Sequence, residues 1–203
     1  VAPRRPLGAQ ISHMLRARGV EVIFGIPGVH NQEMYRGIEE AGIAHVLARH
    51  ERGAGFMADG YARATGKPGI AYVITGPGVC NIMTPMGHAY SDSVPMLVLS
   101  SCLDETAFRK GPSHQMNDQE IAAGTVCDWS GTARTAHAAY GLVERAFEEF
   151  ETRRPCSFLA AARAARSGGR SCPRRVPPVF RPMPGGVGAG GPTLIHLTPE
   201  LTV

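Results

Sequence analysis

Two rhythms of apolar residues alternate along this chain. Val20–Ile26, Ile43–Leu47, Ile70–Thr75 and Met96–Ser101 are short, nearly continuous apolar runs rich in β-branched residues, which predicts buried strands. Between them the apolar positions fall at helical spacing: Leu7, Ile11, Met14 and Leu15; Met34, Tyr35 and Ile38; Ala54, Met57, Ala58 and Tyr61. A further helix is expected around Asn81 to Tyr90. Ala138, Leu142, Val143, Ala146, Phe147 and Phe150 mark another, from about Thr135 to Thr152. The punctuation agrees with this reading. Gly19, Gly42 and Gly66 stand where helices should stop, and Asn31 is placed to cap the second helix. Pro27-Gly28, Gly66-Lys67-Pro68-Gly69 and Gly76-Pro77-Gly78 are turns, and residues 103–124 form a polar loop with a short helix near Asp118 to Ala123. Strand and helix alternating through short links predict an α/β fold, an open parallel sheet with helices on both faces.

In such sheets ligands gather outside the carboxyl ends of the strands. Pro27-Gly28, Glu51 and Gly76-Pro77-Gly78 all fall on that edge. Glu51 sits where the Ile43 strand turns into the next helix, so rigid elements hold it and the helix dipole favours its charge. Gly53 and Ala54 keep that first turn thin enough for a flat ligand to approach. A first-turn acid is ordinary on its own; its convergence with two glycine-proline turns singles out Glu51.

Composition narrows the classes. A hydrophobic fraction of 43% can fill a core, and no apolar run approaches the roughly 18 residues of a membrane helix. The net charge of +4 comes largely from arginines near the C-terminus, with no basic stripe interleaved with aromatics, so neither nucleic acid nor a membrane is an expected partner. The 5 cysteines are widely spaced and include no C-x-x-C pair, which argues against a disulfide framework or a zinc site. No signal-peptide pattern follows VAPRRPLGAQ, and a cytoplasmic location is expected. After Arg153 the character changes: Glu200 is the one remaining acid, and arginine, alanine, proline and glycine dominate. The expected organisation is one domain over residues 1–155, followed by an irregular tail over residues 156–203. That tail resembles the translation of a shifted frame in GC-rich DNA.

Other motifs fail on inspection. GYARATGKP (Gly60 to Pro68) has the wrong glycine spacing for a nucleotide phosphate loop and lacks its hydroxyl residue. Gly76-Pro77-Gly78 lacks the third glycine of a dinucleotide fingerprint, although it can present backbone groups at a helix start. His50 and His114 have no Ser or Cys partner in view, and Cys80 has no activating neighbour. His30, just past Pro27-Gly28, has the better position on the strand edge.

Taken together, VEVIFGIPG (Val20 to Gly28), RHERGAGFMADGYARATGKPG (Arg49 to Gly69), TGPGVCN (Thr75 to Asn81), AYSDSVPMLVLSS (Ala89 to Ser101) and the weaker GPSHQMNDQ (Gly111 to Gln119) resemble one family. It is the pyrimidine-binding N-terminal domain of thiamine-diphosphate enzymes, in the acetolactate synthase and 2-oxoacid decarboxylase superfamily. The resemblance covers about residues 7–152 in order and spacing. It implies that Glu51 is catalytic, hydrogen-bonding the N1′ nitrogen of the aminopyrimidine and so promoting loss of the cofactor's C2 proton. It places Gly76, Pro77, Gly78 and Asn81 beside that ring, and Pro27, Gly28 and His30 on the side of a 2-oxoacid substrate. The family's G-D-G motif and paired asparagines, which hold Mg2+ and the diphosphate, do not occur here. A second copy or a chain carrying the diphosphate-binding domain is therefore the implied partner. The competing expectation is a non-catalytic remnant or assembly module of the same fold.

Overall fold

The computed structural model describes residues 5–103, 110–111, 113–152 and the strand at 192–197. Six helices and six strands follow in the order α1 (Leu7–Ala17), β1 (Val22–Gly25), α2 (Gln32–Glu40), β2 (Ala44–Leu47), α3 (Glu51–Thr65), β3 (Gly69–Val73), α4 (Pro77–Ser91), β4 (Met96–Ser101), α5 (Gln119–Gly124), β5 (Ser130–Thr132), α6 (Ala136–Thr152) and β6 (Pro192–Leu197). The strands form one sheet in the order β2-β1-β3-β4-β6-β5, and every pairing is parallel. The expected α/β architecture is present.

Side-chain alternation along the central strands makes two cores. Ile23, Ile70, Tyr72, Leu97 and Leu99 face one side, where α1, α2 and α6 bring Ile11, Leu15, Met34, Val143 and Phe147. Phe24, Ala71, Val73, Met96 and Val98 face the other, under Ala54, Ala58 and Ala62 of α3 and Val79, Ile82 and Met86 of α4. Alanine at the contact positions of α3 brings that helix close to the sheet. A Cβ on Gly69 of β3 would collide with the Ala58 carbonyl.

Four expectations need correction. The Ile43 run is not a buried strand. Among the described residues β2 is the sheet's edge, paired with β1, so Ala44 and Leu47 are exposed while the flanking Ile43 and Ala48 are buried. The buried face of α3 is Ala54, Gly55, Ala58, Asp59 and Ala62, with Met57 and Tyr61 at its margin. The face is turned because Asp59, 4% exposed, is paired through both oxygens with Arg63, which also reaches Asp92 beyond α4. Asn31 precedes α2 but does not cap it: its side chain turns back, accepting from the Gly28 amide at 2.6 Å and donating to the Ile26 carbonyl at 3.2 Å. Finally, Pro192–Leu197, within the stretch expected to be irregular, is a strand in register with the whole of β4. The rest of the expected tail lies outside the described residues. No helix among the described residues is long and apolar enough to cross a membrane.

Candidate functional site

Three turns leave the carboxyl ends of the adjacent strands β2, β1 and β3. β1 runs into Ile26-Pro27-Gly28, β2 into the start of α3, and β3 into Ile74-Thr75-Gly76 and the start of α4. The chain departs from β1 and β3 toward opposite edges of the sheet, so these two adjacent strands form the switch point at which α/β sheets open a crevice. The amino ends of α3 and α4 both lie there, each with the positive end of its dipole and its unpaired first-turn amides.

Glu51 is the first residue of α3 and half-buried. His50 caps the helix, its Nδ1 accepting from the Arg52 amide at 3.1 Å, so the His50 side chain serves the helix end and not the crevice. One turn into α4, Asn81 Nδ2 donates to Glu51 Oε2 at 2.8 Å. The other carboxylate oxygen faces Gly78. A Cβ there would stand 3.5 Å from Glu51 Oε1 and 2.8 Å from Ile74 Cγ2, so the wall at this point is backbone by necessity. Beneath the carboxylate, the Tyr35 hydroxyl donates to the Tyr72 carbonyl at 3.3 Å. Burial, then Tyr72 and the charge of Glu51, push the Tyr35 phenol far above its ordinary range.

The α4 turn is built with unusual stringency. Gly76, the residue before the helix, has φ +66° and ψ −110°, and a Cβ on it would collide with the His114 carbonyl. That backbone is closed to other residues. Pro77 follows at the first helical position, where its missing amide hydrogen is not needed. Gln119, at the start of α5, holds the turn from outside. Its Oε1 accepts from Thr75 Oγ1 at 2.9 Å and from the Gly76 amide at 3.4 Å, while its Nε2 donates to the Ser101 carbonyl at 3.1 Å. Ser101 Oγ in turn accepts from the Thr75 amide at 3.0 Å.

The β1 loop closes the opposite side. A Cβ on Gly28 would come 2.7 Å from Ile74 Cδ1, so Ile74 is wedged between Gly28 and Gly78. His30 meets His114 edge to face, with ring centroids 5.6 Å apart. Burial, reinforced by His114, holds His30 below its ordinary pKa of 6.5. The structure thus brings Glu51, Gly78 and Asn81 into contact and joins Gly76 and Pro77 to them through α4. Gly28 lies against Ile74, in the same loop as Pro27 and as His30 with its His114 contact. Cys80 is exposed, with Sγ 3.8 Å from Met116 Sδ. Sequence reasoning missed Ile74, Tyr35 and the part played by Gln119. Gln119 stood inside the GPSHQMNDQ stretch, but nothing in that stretch pointed to Thr75.

A half-buried carboxylate held by an amide donor, beside a backbone wall at the carboxyl edge of a parallel sheet, stands where α/β domains bind their ligands. Comparison with known proteins specifies the family. The family described as "Thiamine pyrophosphate enzyme, N-terminal TPP binding domain" matches residues 5–121, and the chain belongs to it. It is 47% identical over 150 residues to a probable 2-ketoarginine decarboxylase, AruI, of Pseudomonas aeruginosa, an overlap covering 73% of this chain and 27% of that protein. It is 44% identical over 94 residues to acetolactate synthase isozyme 2 large subunit of Escherichia coli, covering 46% and 17%. It is 34% identical over 154 residues to the mitochondrial acetolactate synthase catalytic subunit of Saccharomyces cerevisiae, covering 75% and 22%. The chain therefore spans about a quarter or less of the length of these relatives.

Proposed function

We propose that this chain supplies the aminopyrimidine-binding half of a thiamine-diphosphate-dependent carbon–carbon lyase or transferase acting on 2-oxoacids, with Glu51 as the catalytic carboxylate. The observation that carries the reading is the Glu51–Asn81 pair against Gly78 at the amino ends of α3 and α4. The residues present suit a flat heteroaromatic ring. The wall at Gly78 has no side chain, and one carboxylate oxygen is fixed by Asn81 while the other faces that wall. Bound thiamine diphosphate supplies a carbon acid and an electron sink that no side chain provides. Glu51 holds or releases the proton that a ring nitrogen exchanges, the work for which a carboxylate is suited and an amide is not. Asn81 fixes the carboxylate plane, Gly76 and Pro77 fix Asn81, and Pro27, Gly28 and His30 border the substrate.

The names of the relatives, a 2-ketoarginine decarboxylase and acetolactate synthases, support the 2-oxoacid class. On this reading residues 1–155 act as one cofactor-binding unit within a cytoplasmic homodimer or a complex with another chain. The diphosphate and its Mg2+ are held by a domain whose G-D-G motif this sequence lacks. The test is a chimera joining residues 5–152 of this chain to the remainder of the Pseudomonas relative, assayed for CO2 release from pyruvate and 2-ketoarginine. Turnover that requires thiamine diphosphate and Mg2+ is expected. A chimera that folds and binds the cofactor, yet turns over neither substrate, contradicts the proposal.

A further inference from the structure

One helical turn below the Glu51–Asn81 pair lies a second contact between the same two helices. Gly55 is four residues after Glu51 on α3, and Pro85 is four residues after Asn81 on α4. Both are buried. A Cβ on Gly55 would collide with Pro85 Cγ, lie 2.8 Å from Pro85 Cβ and 3.0 Å from Ile82 Cγ1. α3 thus rests with its bare backbone on the proline ring, and no side chain intervenes.

Pro85 sits in the interior of α4, where a proline is strongly unfavourable. It has no N–H for the carbonyl four residues earlier, and that carbonyl belongs to Asn81. The rung of the helical ladder that would hold the Asn81 backbone is therefore missing, and such a gap lets a helix bend. The place of Asn81 is then set by what α4 rests on. On one side this is the Gln119-braced Gly76 turn; on the other it is the Gly55–Pro85 contact. At the far end, Arg63 ties Asp59 of α3 to Asp92 beyond α4, so the helices are pinned there as well.

We propose that Gly55 and Pro85 are positioning residues whose contact sets the reach of Asn81 to Glu51. Neither touches the carboxylate; they act through the separation and inclination of α3 and α4. The functional meaning of the inference rests on the role proposed for Glu51. Its test uses the free chain without cofactor, so the two can fail separately.

The measurement is NMR of the Asn81 side-chain amide in the full 203-residue chain. Its resonance is identified by its loss in Asn81→Asp. In the parent chain the proton donated to Glu51 should be shifted downfield and protected from exchange. Gly55→Ala should move it toward the free-amide position and raise its exchange about tenfold, the factor that a hydrogen bond of ordinary net strength contributes. Gly55→Ala/Pro85→Gly exchanges the methyl for the ring and should restore both signals, a rescue that general destabilisation would not give. Gly60→Ala, on the same helix with nothing within 4 Å of the added methyl, should change neither. If Gly55→Ala does not fold, Pro85→Gly carries the test alone: it returns an N–H to the Asn81 carbonyl but removes the ring that spaces α3 from α4, and should still loosen the Asn81 side-chain amide. An unchanged amide in folded Gly55→Ala or Pro85→Gly, or a folded double variant without rescue, overturns the proposal.

Discussion

Glu51 owes its position to two local facts, the end of an edge strand and the start of a helix whose first turn carries Gly53 and Ala54. The strand end and the helix start were legible in the sequence, because turn residues and helical spacing are local signals; the strand's place at the sheet's edge was not, since its apolar run reads as buried. What was not legible is the donor. Asn81 lies 30 residues further on, and its hydrogen bond depends on how two helices cross. His30 shows the same division: its place after Pro27-Gly28 was readable, its ring contact with His114 was not. The surroundings of His30 have a measurable consequence. Its pKa is lowered by burial and then by His114, so the folded chain binds this proton less readily than the unfolded chain does. Above about pH 6.5 both states are neutral there and the site costs nothing. As pH falls through that value the unfolded state takes up the proton first, and stability is lost until folded His30 is protonated too. We therefore expect the His30 ring to titrate below 6.5 by NMR, and His30→Asn to lose less thermal stability between pH 7 and pH 5 than the parent chain.

At the scale of elements, helices and central strands followed the sequence pattern closely, and β4 at Met96–Ser101 matches its apolar run residue for residue. β5 is Ser-Gly-Thr and half-buried, so it carries no periodicity; it exists because β6 lies beside it. β6 sits in a stretch rich in proline and glycine, and its place between β4 and β5 is a matter of long-range pairing. The turned face of α3 has a similar cause, since an acid reads as solvent-exposed until Arg63 is seen to pair with it. The Gly76 turn is the element on which the site most depends, and Gln119 is its external brace. Gln119→Ala removes the acceptor of Thr75 Oγ1 and the Gly76 amide together with the donor to Ser101. Leaving such partly buried groups unpaired costs about 1–3 kcal/mol. The expected result is a lower urea midpoint with an unchanged slope. An unchanged midpoint would mean that Thr75 and Ser101 hold the turn unaided.

For the whole molecule, the two apolar cores on either side of one parallel sheet make a scaffold that presents its ligand-facing turns along a single edge. That scaffold places Glu51–Asn81 and the β1 loop on one edge; on the proposed reading the diphosphate and its metal are held by another domain. On the proposed reading, a chain spanning about a quarter of its decarboxylase relative contributes the catalytic carboxylate and needs a partner. The central claim is that Glu51 exchanges a proton with the cofactor's ring, and C2-proton exchange of thiamine diphosphate in the chimera with the Pseudomonas relative tests it most directly. Glu51→Gln preserves the size of the side chain and sacrifices a favourable helix-dipole interaction of about 0.3–1 kcal/mol, so the fold should survive. Exchange should nevertheless slow by about 10²–10⁴-fold, the usual worth of a positioned acid–base group, while Glu39→Gln and Glu40→Gln on the exposed end of α2 leave it unchanged. If the folded, cofactor-bound Glu51→Gln chimera exchanges its C2 proton at the parent rate, Glu51 is an ordinary first-turn acid and the account fails.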